Sequence, residues 1–414
     1  MIEKIKNLSK ANKFLIAILL LTTFLHFFRF DYPNAYVFDE VYHGFTAKEY
    51  AKGEVKAWEW WNTPPPGVAY EWTHPPLAKE IMAASLMLFK TEDPWGWRLP
   101  GVLLGVLSVY LVYLIAKKLF PNPQGENIAL LSAFVFSLDG LLFVQSRTGM
   151  NDIYVVTFML LSILLLLNKK YFLSSILFGA ALASKWSALY LYGLIFLFCA
   201  YKARFRNFLW YVFVPPIIYL FSYLPFFIQG HNLETFKGLQ QQMWWYHTNL
   251  KATHDYASPW WSWPFNFFPV WYYVDYKDNK IANIFASGNP MMFWFGFMAI
   301  IMGLYDLIKE KADRYKLLFL LIGYASFILP WVISPRIMFL YHYAPCIPFM
   351  SIALGYQLNK FTHTKDDRLF LKFILVVIVL SFAFVYPFLT GISLDKSIVQ
   401  LFFKTNITKN PFGS

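Results

Sequence analysis

Two carboxylates stand side by side at Asp39 and Glu40, in the segment FDEVYHG just past the first long apolar run. A carboxylate held in partly desolvated surroundings gains proton affinity and suits general-base work on a hydroxyl. The competing reading is a solvated acidic pair on an outer loop. The flanks are apolar and aromatic, which argues for a pair held at a membrane surface. Asp39 is the expected base. Glu40 points elsewhere if the segment is extended, and stands as the alternative, orienting an acceptor or holding a cation.

Four cations recur at the ends of apolar runs: Arg98 in WGWRLPG, Arg147 in QSRTGMND, Lys185 in SKWSALY and Arg336 in SPRIMFLYHY. A single snorkelling cation is a common membrane anchor. Four at one depth exceed that need and suit a phosphate group. Asp152 is expected to pair with Arg147 or another of these cations. EWTHPPLAK adds His74 and Lys79 beside a double proline that fixes an extended entry into the next helix. Tyr341 and His342 stand beside Arg336, and the aromatic stretch from Gln240 to Pro264 carries His254. That stretch reads as an interfacial aromatic belt or as a surface for a sugar or peptide. Its histidine spacing is a weak metal signal without a compact carboxylate or cysteine set, so no metal ligand is assigned.

What must position these residues is a membrane scaffold. Of 414 residues, 58% are apolar, 21% aromatic and 14% charged, against about 25% charged in soluble domains. Repeated apolar runs match a bilayer core of about 30 Å. Disorder, a coiled coil and a disulfide scaffold are excluded; Cys199 and Cys346 both fall in apolar spans. The net charge of +12 invites a nucleic-acid reading, but the excess sits in short segments that the positive-inside rule assigns to one side. These are KIKNLSKANK, AKKLF, NKKY, YKARFR, IKEKADRYK and NKFTHTKDDRLFLK. The first apolar run, Phe14 to Phe30, lacks a small-residue cleavage site and reads as a retained helix.

The resulting expectation is an all-α polytopic membrane protein, residues 1–414 forming one domain. About eleven spans are expected near 12–30, 98–118, 127–145, 151–168, 171–184, 187–201, 207–228, 290–308, 316–333, 336–357 and 369–390. Two long loops, 31–97 and 229–289, then face outward, and the segment Leu77 to Lys90 lies along the interface. Every costly polar cluster maps to the outer face or just beneath it, which makes a convergent site the economical explanation.

The motifs in this order resemble the protein O-mannosyltransferase family, membrane glycosyltransferases of the GT-C fold. The matching segments are FDEVYHG, THPPLAK, WGWRLPG, the SR…D segment, ASKW, THDYASPWWSWP, GNP and SPRIMFLYHYAPCIPF. The aminoarabinose-transferase branch shares the acidic pair, the Pro-Pro motif and the RLP helix. Two departures are Asn151, where an apolar residue is expected, and a second outer loop too short for an inserted β-trefoil domain. The resemblance implies inverting transfer of mannose from a polyprenyl-phosphate carrier to Ser or Thr of a secreted protein, on the outer face of the cell membrane. Asp39 and Glu40 would then be the catalytic pair. Arg98, Lys185, Arg336 and Arg147 would hold the donor phosphate. His74, Lys79, Asp152, His254, Tyr341 and His342 would support substrate. No cofactor is assigned, and a divalent cation is compatible with a phosphate site. The alternatives are a related transferase acting on a lipid or other glycan, and a transporter, which would need polar groups through the midplane.

Overall fold

The computed structural model describes residues 9–121, 124–250, 252–309 and 313–402. The first helix, α1 (Lys10–Phe27), starts where the Ser9 hydroxyl accepts the Asn12 N–H. Next come α2 (His43–Lys52), α3 (Leu77–Phe89) and α4 (Pro94–Leu119). Asp93 followed by Pro94 opens α4, proline at the first helical position donating no N–H that the helix could use. The chain continues through α5 (Gly125–Ser137), α6 (Leu141–Arg147), α7 (Asp152–Leu167), α8 (Tyr171–Ser184), α9 (Leu191–Tyr201), α10 (Leu209–Phe221), α11 (Leu224–Ile228) and α12 (Leu233–Asn249). After a hairpin come α13 (Pro290–Lys309), α14 (Arg314–Ile328), α15 (Ile347–Asn359), α16 (Lys365–Thr390) and α17 (Lys396–Phe402).

Most of each apolar stretch named above is helical, but not each is one straight rod. The expected span 336–357 is irregular from Arg336 to Phe339, a 3-10 turn over Leu340–Cys346 and α-helix only from Ile347. Five helical stretches are long and apolar enough to cross a bilayer: Lys10–Phe27, Pro94–Leu119, Pro290–Lys309, Arg314–Val332 and Lys365–Thr390. The pair α5 and α6 adds a sixth if read as one span bent by 62°. Four shorter apolar helices lie between residues 152 and 221. The expected straight helix over 127–145 is therefore broken. Asp139 causes the break: its carboxylate accepts the Leu141 and Leu142 N–H groups at 3.2 and 2.6 Å, capping a new helix in place of continuing the old one.

The helices share one apolar cluster that runs from Ile18 to Leu389. In a bilayer, close packing rather than water exclusion holds helices together. Gly355 shows the requirement: a Cβ there would sit 2.2 Å from the Ser132 hydroxyl of α5. The lipid-facing side of α16 carries exposed Phe373, Val376, Leu380 and Phe384.

The second long loop departs from an all-helical reading. It contains α12 and then an antiparallel hairpin, β1 (Val270–Lys277) and β2 (Lys280–Ala286), extended by β3 (Ser393–Asp395) in the order β1-β2-β3. Aromatic and β-branched residues around an Asp278-Asn279 turn favour a hairpin. The register skips at Tyr272, between Trp271 opposite Phe285 and Tyr273 opposite Ile284. Such a bulge turns one side chain out of the alternation.

Candidate active site

The acidic motif is not extended. Phe38–Val41 forms a single 3-10 turn, and Phe38 itself has φ +47, a left-handed conformation that costs a bulky side chain energy. The turn sends Asp39 and Glu40 to different surroundings.

Glu40 is fully buried and its carboxylate is fully used. Oε1 accepts Trp97 Nε1 (2.9 Å), Arg98 Nε (2.8 Å) and the Gly149 N–H (2.8 Å). Oε2 accepts Arg98 Nη2 (2.7 Å) and the Val37 N–H (2.9 Å). Arg98 is equally committed: Nη1 donates to the carbonyls of Phe30, Asp31 and Pro33, and Nη2 also to that of Ala35. Bidentate pairing of this kind fixes geometry as well as charge. Gly149 permits it, because a Cβ there would stand 3.1 Å from Trp97 and 3.3 Å from Glu40 Cγ. The expectation that Arg98 holds a donor phosphate is thus corrected, since each of its nitrogens already donates to this clamp. Glu40 is likewise removed as the alternative base, because its proton-accepting lone pairs are occupied.

The Asp39 carboxylate faces the other way and has no hydrogen bond or ion pair among the described residues, only the Asp39 carbonyl accepting the Tyr42 N–H. Burial first, then the nearby Glu71 carboxylate, push its pKa up to about 7, with Lys185 acting in the opposite direction. That value lies where a general base works best at neutral pH.

Around Asp39 lie three groupings. In the first, Lys185 at the C-terminal end of α8 bonds Asp152 bidentately, at 2.8 and 3.0 Å, and lies 5.7 Å over the Tyr341 ring. Of the cations expected to pair with Asp152, Lys185 is the one that does, and Arg147 is not. In the second, Glu71 accepts the Thr73 hydroxyl (2.5 Å) and the His74 N–H (2.9 Å) and stands 3.9 Å from His43 Nδ1. Burial opposes ionisation there, yet Lys79, His43 and these donors hold Glu71 below its ordinary value. Lys79, fully buried, donates to the His74 and Pro75 carbonyls at 3.0 and 3.3 Å, and burial pushes its pKa down to about 8. The third is a row of stacked imidazoles, His43, His74 and His247, with ring centres 6.2 and 5.2 Å apart. His247 joins Thr73 O at 2.8 Å and Arg336 Nη1 at 2.6 Å. A guanidinium only donates, so Nδ1 of His247 accepts and Nε2 carries the proton. Burial, then Arg336, push the His247 pKa down to about 4, and burial takes His43 to a similar value.

Arg336 keeps donor capacity: its buried Nε has no partner. His342 is buried between Trp331 and Tyr341, with Nδ1 3.0 Å from both backbone groups of Phe339. These contacts tie its ring to the turn that follows Arg336. Arg147 turns away from Asp39: Nη2 donates to Phe28 O at 2.6 Å and the guanidinium lies over Phe143. His254 is exposed at the rim, with Nδ1 accepting the Tyr256 N–H. The site so assembled brings together Asp39, Lys185, Asp152, Tyr341, His74, Lys79 and Arg336. Glu71, His43 and His247 join them unassigned by sequence reasoning; Glu71 lies three residues before His74 in a motif already singled out, and that proximity was the available signal. Among the described residues no group of three or more His, Cys, Asp or Glu side chains forms a metal site.

The sequence model of dolichyl-phosphate-mannose-protein mannosyltransferases matches residues 16–229, and that of the C-terminal four-span region of protein O-mannosyltransferases matches residues 232–402. The chain belongs to the protein O-mannosyltransferase family. The polyprenol-phosphate-mannose–protein mannosyltransferase of Mycolicibacterium smegmatis is 24% identical over 419 residues, covering 79% of this chain and 80% of that protein. The protein of that name from Corynebacterium glutamicum is 23% identical over 367 residues, 68% and 69% of the two chains. Among solved structures, the Saccharomyces cerevisiae Pmt1–Pmt2 complex bound to the sugar donor superposes with a TM-score of 0.80 at 15% identity, over 93% of this chain and 91% of that one. ArnT of Cupriavidus metallidurans bound to undecaprenyl phosphate gives 0.61 at 14% identity, over 91% and 75%. The fold is GT-C, and the chain is a multi-pass membrane mannosyltransferase.

Proposed function

We propose that this chain transfers mannose from a polyprenyl-phosphate-mannose donor to Ser or Thr hydroxyls of a protein acceptor, with inversion, at the outer face of the cell membrane. The observation that carries the reading is the division of labour in the acidic pair. Glu40 is spent on Arg98, while Asp39 stays unpartnered with a pKa near 7. In this reading the acceptor oxygen attacks the sugar C1 as the C1–O bond to phosphate breaks. The bonding electrons leave with the phosphate, and Asp39 takes the hydroxyl proton. Lys185 and Arg336 hold the leaving phosphate, with Lys79 beneath the loop that carries His74. Charge-assisted donors aimed at developing negative charge supply much of such a rate enhancement. The one-sided distribution of Lys and Arg supports the outward orientation.

The test is transfer of labelled mannose from polyprenyl-phosphate-mannose to a Ser/Thr peptide by purified protein. The Asp39→Asn variant keeps the shape and loses the base. It is expected to bind donor and to lose about 100- to 10,000-fold in turnover. Near-normal turnover in a folded Asp39→Asn protein overturns the assignment.

A further inference from the structure

Three lysines gather at one end of the helical pair α2 and α3. Lys48, Lys52 and Lys90 line a cavity of about 220 Å³ together with Leu86, Met87 and Glu92. The two helices run side by side in the same direction. His43 and Lys79, in their first turns, both act on Glu71 in the site described above. Lys52 and Lys90 stand at their other ends. At 1.5 Å per residue, the length of helix from Lys79 to Lys90 is roughly 17 Å. The cavity is therefore separate from the catalytic groups.

Glu92 is the carboxylate of the cavity, and it bridges Lys48 and Lys52 at 3.1 and 3.3 Å. Its side chain is 64% exposed, and ion pairs so exposed contribute little, so the bridge is readily displaced. Lys52 also lies 3.4 Å from Glu49. The Lys90 ammonium has no hydrogen bond or ion pair among the described residues. Its backbone is unusual as well. Lys90 has φ +51 and ψ +45, the left-handed conformation in which helices ordinarily end on glycine. Helix α2 does end that way, at Gly53 with φ +76. A lysine there costs strain that glycine avoids. Immediately before it, Met87, Leu88 and Phe89 are 61, 74 and 48% exposed, a run suited to the acyl boundary of a bilayer and not to water.

We infer that the ends of α2 and α3 bind an anionic phospholipid of the surrounding membrane, its headgroup phosphate among Lys48, Lys52 and Lys90 and its chains along Met87, Leu88 and Phe89. The inference goes beyond the transfer reaction and does not depend on it. Charge selects the ligand: three cations around a cavity with one carboxylate suit a phosphate. The adjoining apolar run ties that phosphate to a lipid and not to an ion in solution. In the outward orientation proposed above, clustered lysines also run against the usual bias, and a local anion accounts for them. A lipid bound here braces the far ends of the two helices that carry His43 and Lys79.

The experiment is native mass spectrometry of the full chain released from detergent micelles, after titration with phosphatidylglycerol or with phosphatidylcholine of the same chain length. Wild type is expected to retain one phosphatidylglycerol in preference to phosphatidylcholine. Lys48→Gln and Lys90→Gly are each expected to weaken that retention about 5-fold, the value of one lysine beside an anionic lipid. Lys90→Gly relieves the left-handed strain, so its folding is not expected to suffer. Glu92→Gln removes the competing carboxylate and is expected to strengthen retention. Equal retention of the two lipids by wild type overturns the inference, and so does a preference that survives in both lysine variants. Weaker retention in Glu92→Gln makes the ion-pair cluster structural and overturns it as well. Displacement by millimolar inorganic phosphate assigns the cavity to a free ion; displacement by sugar-free polyprenyl phosphate places the lipid in the donor site. Either result overturns the phospholipid. Wild type that selects phosphatidylglycerol but transfers no mannose overturns the functional reading alone.

Discussion

Replacing Glu40 by Gln separates a structural role from a chemical one. The carboxylate receives five N–H donors, three of them from Trp97 and Arg98 side chains. Both partners of the ion pair are inaccessible to solvent. Gln keeps the shape but removes the negative charge, and its NH2 group meets N–H donors where an acceptor is required. The Arg98 guanidinium is then left buried and uncompensated, which costs about 3–5 kcal/mol. The loop from Phe30 to Glu40, pinned to Arg98 through four carbonyls, loosens with it. The expected result for Glu40→Gln is a marked fall in thermal stability in detergent together with lost turnover. Asp39→Asn, by contrast, loses turnover at essentially unchanged stability. A double-mutant cycle with Arg98→Met measures the coupling directly. A Glu40→Gln protein as stable as wild type but inactive refutes this reasoning and returns Glu40 to the chemistry.

The pH profile follows from Asp39. A base must be deprotonated to act, so kcat/KM is expected to rise with pH through an apparent pKa of about 7 and to level off above it; Asp39→Asn lacks this limb. Lys185 holds the Asp39 pKa down, so Lys185→Met is expected to displace the limb to higher pH, and an unmoved limb separates the two residues. Arg336→Ala is expected to weaken donor use by roughly 10- to 100-fold, the value of one charged contact of about 1.5–3 kcal/mol. Arg336→Lys restores only part of it; normal donor kinetics in the alanine variant removes Arg336 from the site. For orientation, cysteines placed at Glu54 and Asn279 are expected to react with an impermeant thiol reagent outside intact cells, and one at Asp366 is not. Ser258, in the second long loop, is buried and bonded to Trp263 and reports nothing. The native Cys199 and Cys346 are buried, which keeps the background low. The reverse labelling pattern overturns the outer-face assignment.

Sequence alone determined the class of this protein, because crossing a bilayer imposes local requirements. Apolar length and the side on which Lys and Arg gather are properties of contiguous residues, so the helical stretches and the candidate residues at their ends were legible. So was the family, from the order of short motifs. Partner choice was not legible. Whether Asp152 pairs with Arg147, five residues away, or with Lys185 on the next helix depends on which face each helix presents, and the break at Asp139 resets that face for α6. The same holds for Asp39 and Glu40. As neighbours of equal chemistry they differ only through a 3-10 turn that delivers one carboxylate to Arg98 and leaves the other free. The hairpin in the second loop was not legible because its aromatic residues suit an interfacial belt as well as a strand, and the bulge at Tyr272 exists only once β1 and β2 pair. Local composition sets what a segment can be; long-range pairing decides which of its groups are left with work to do.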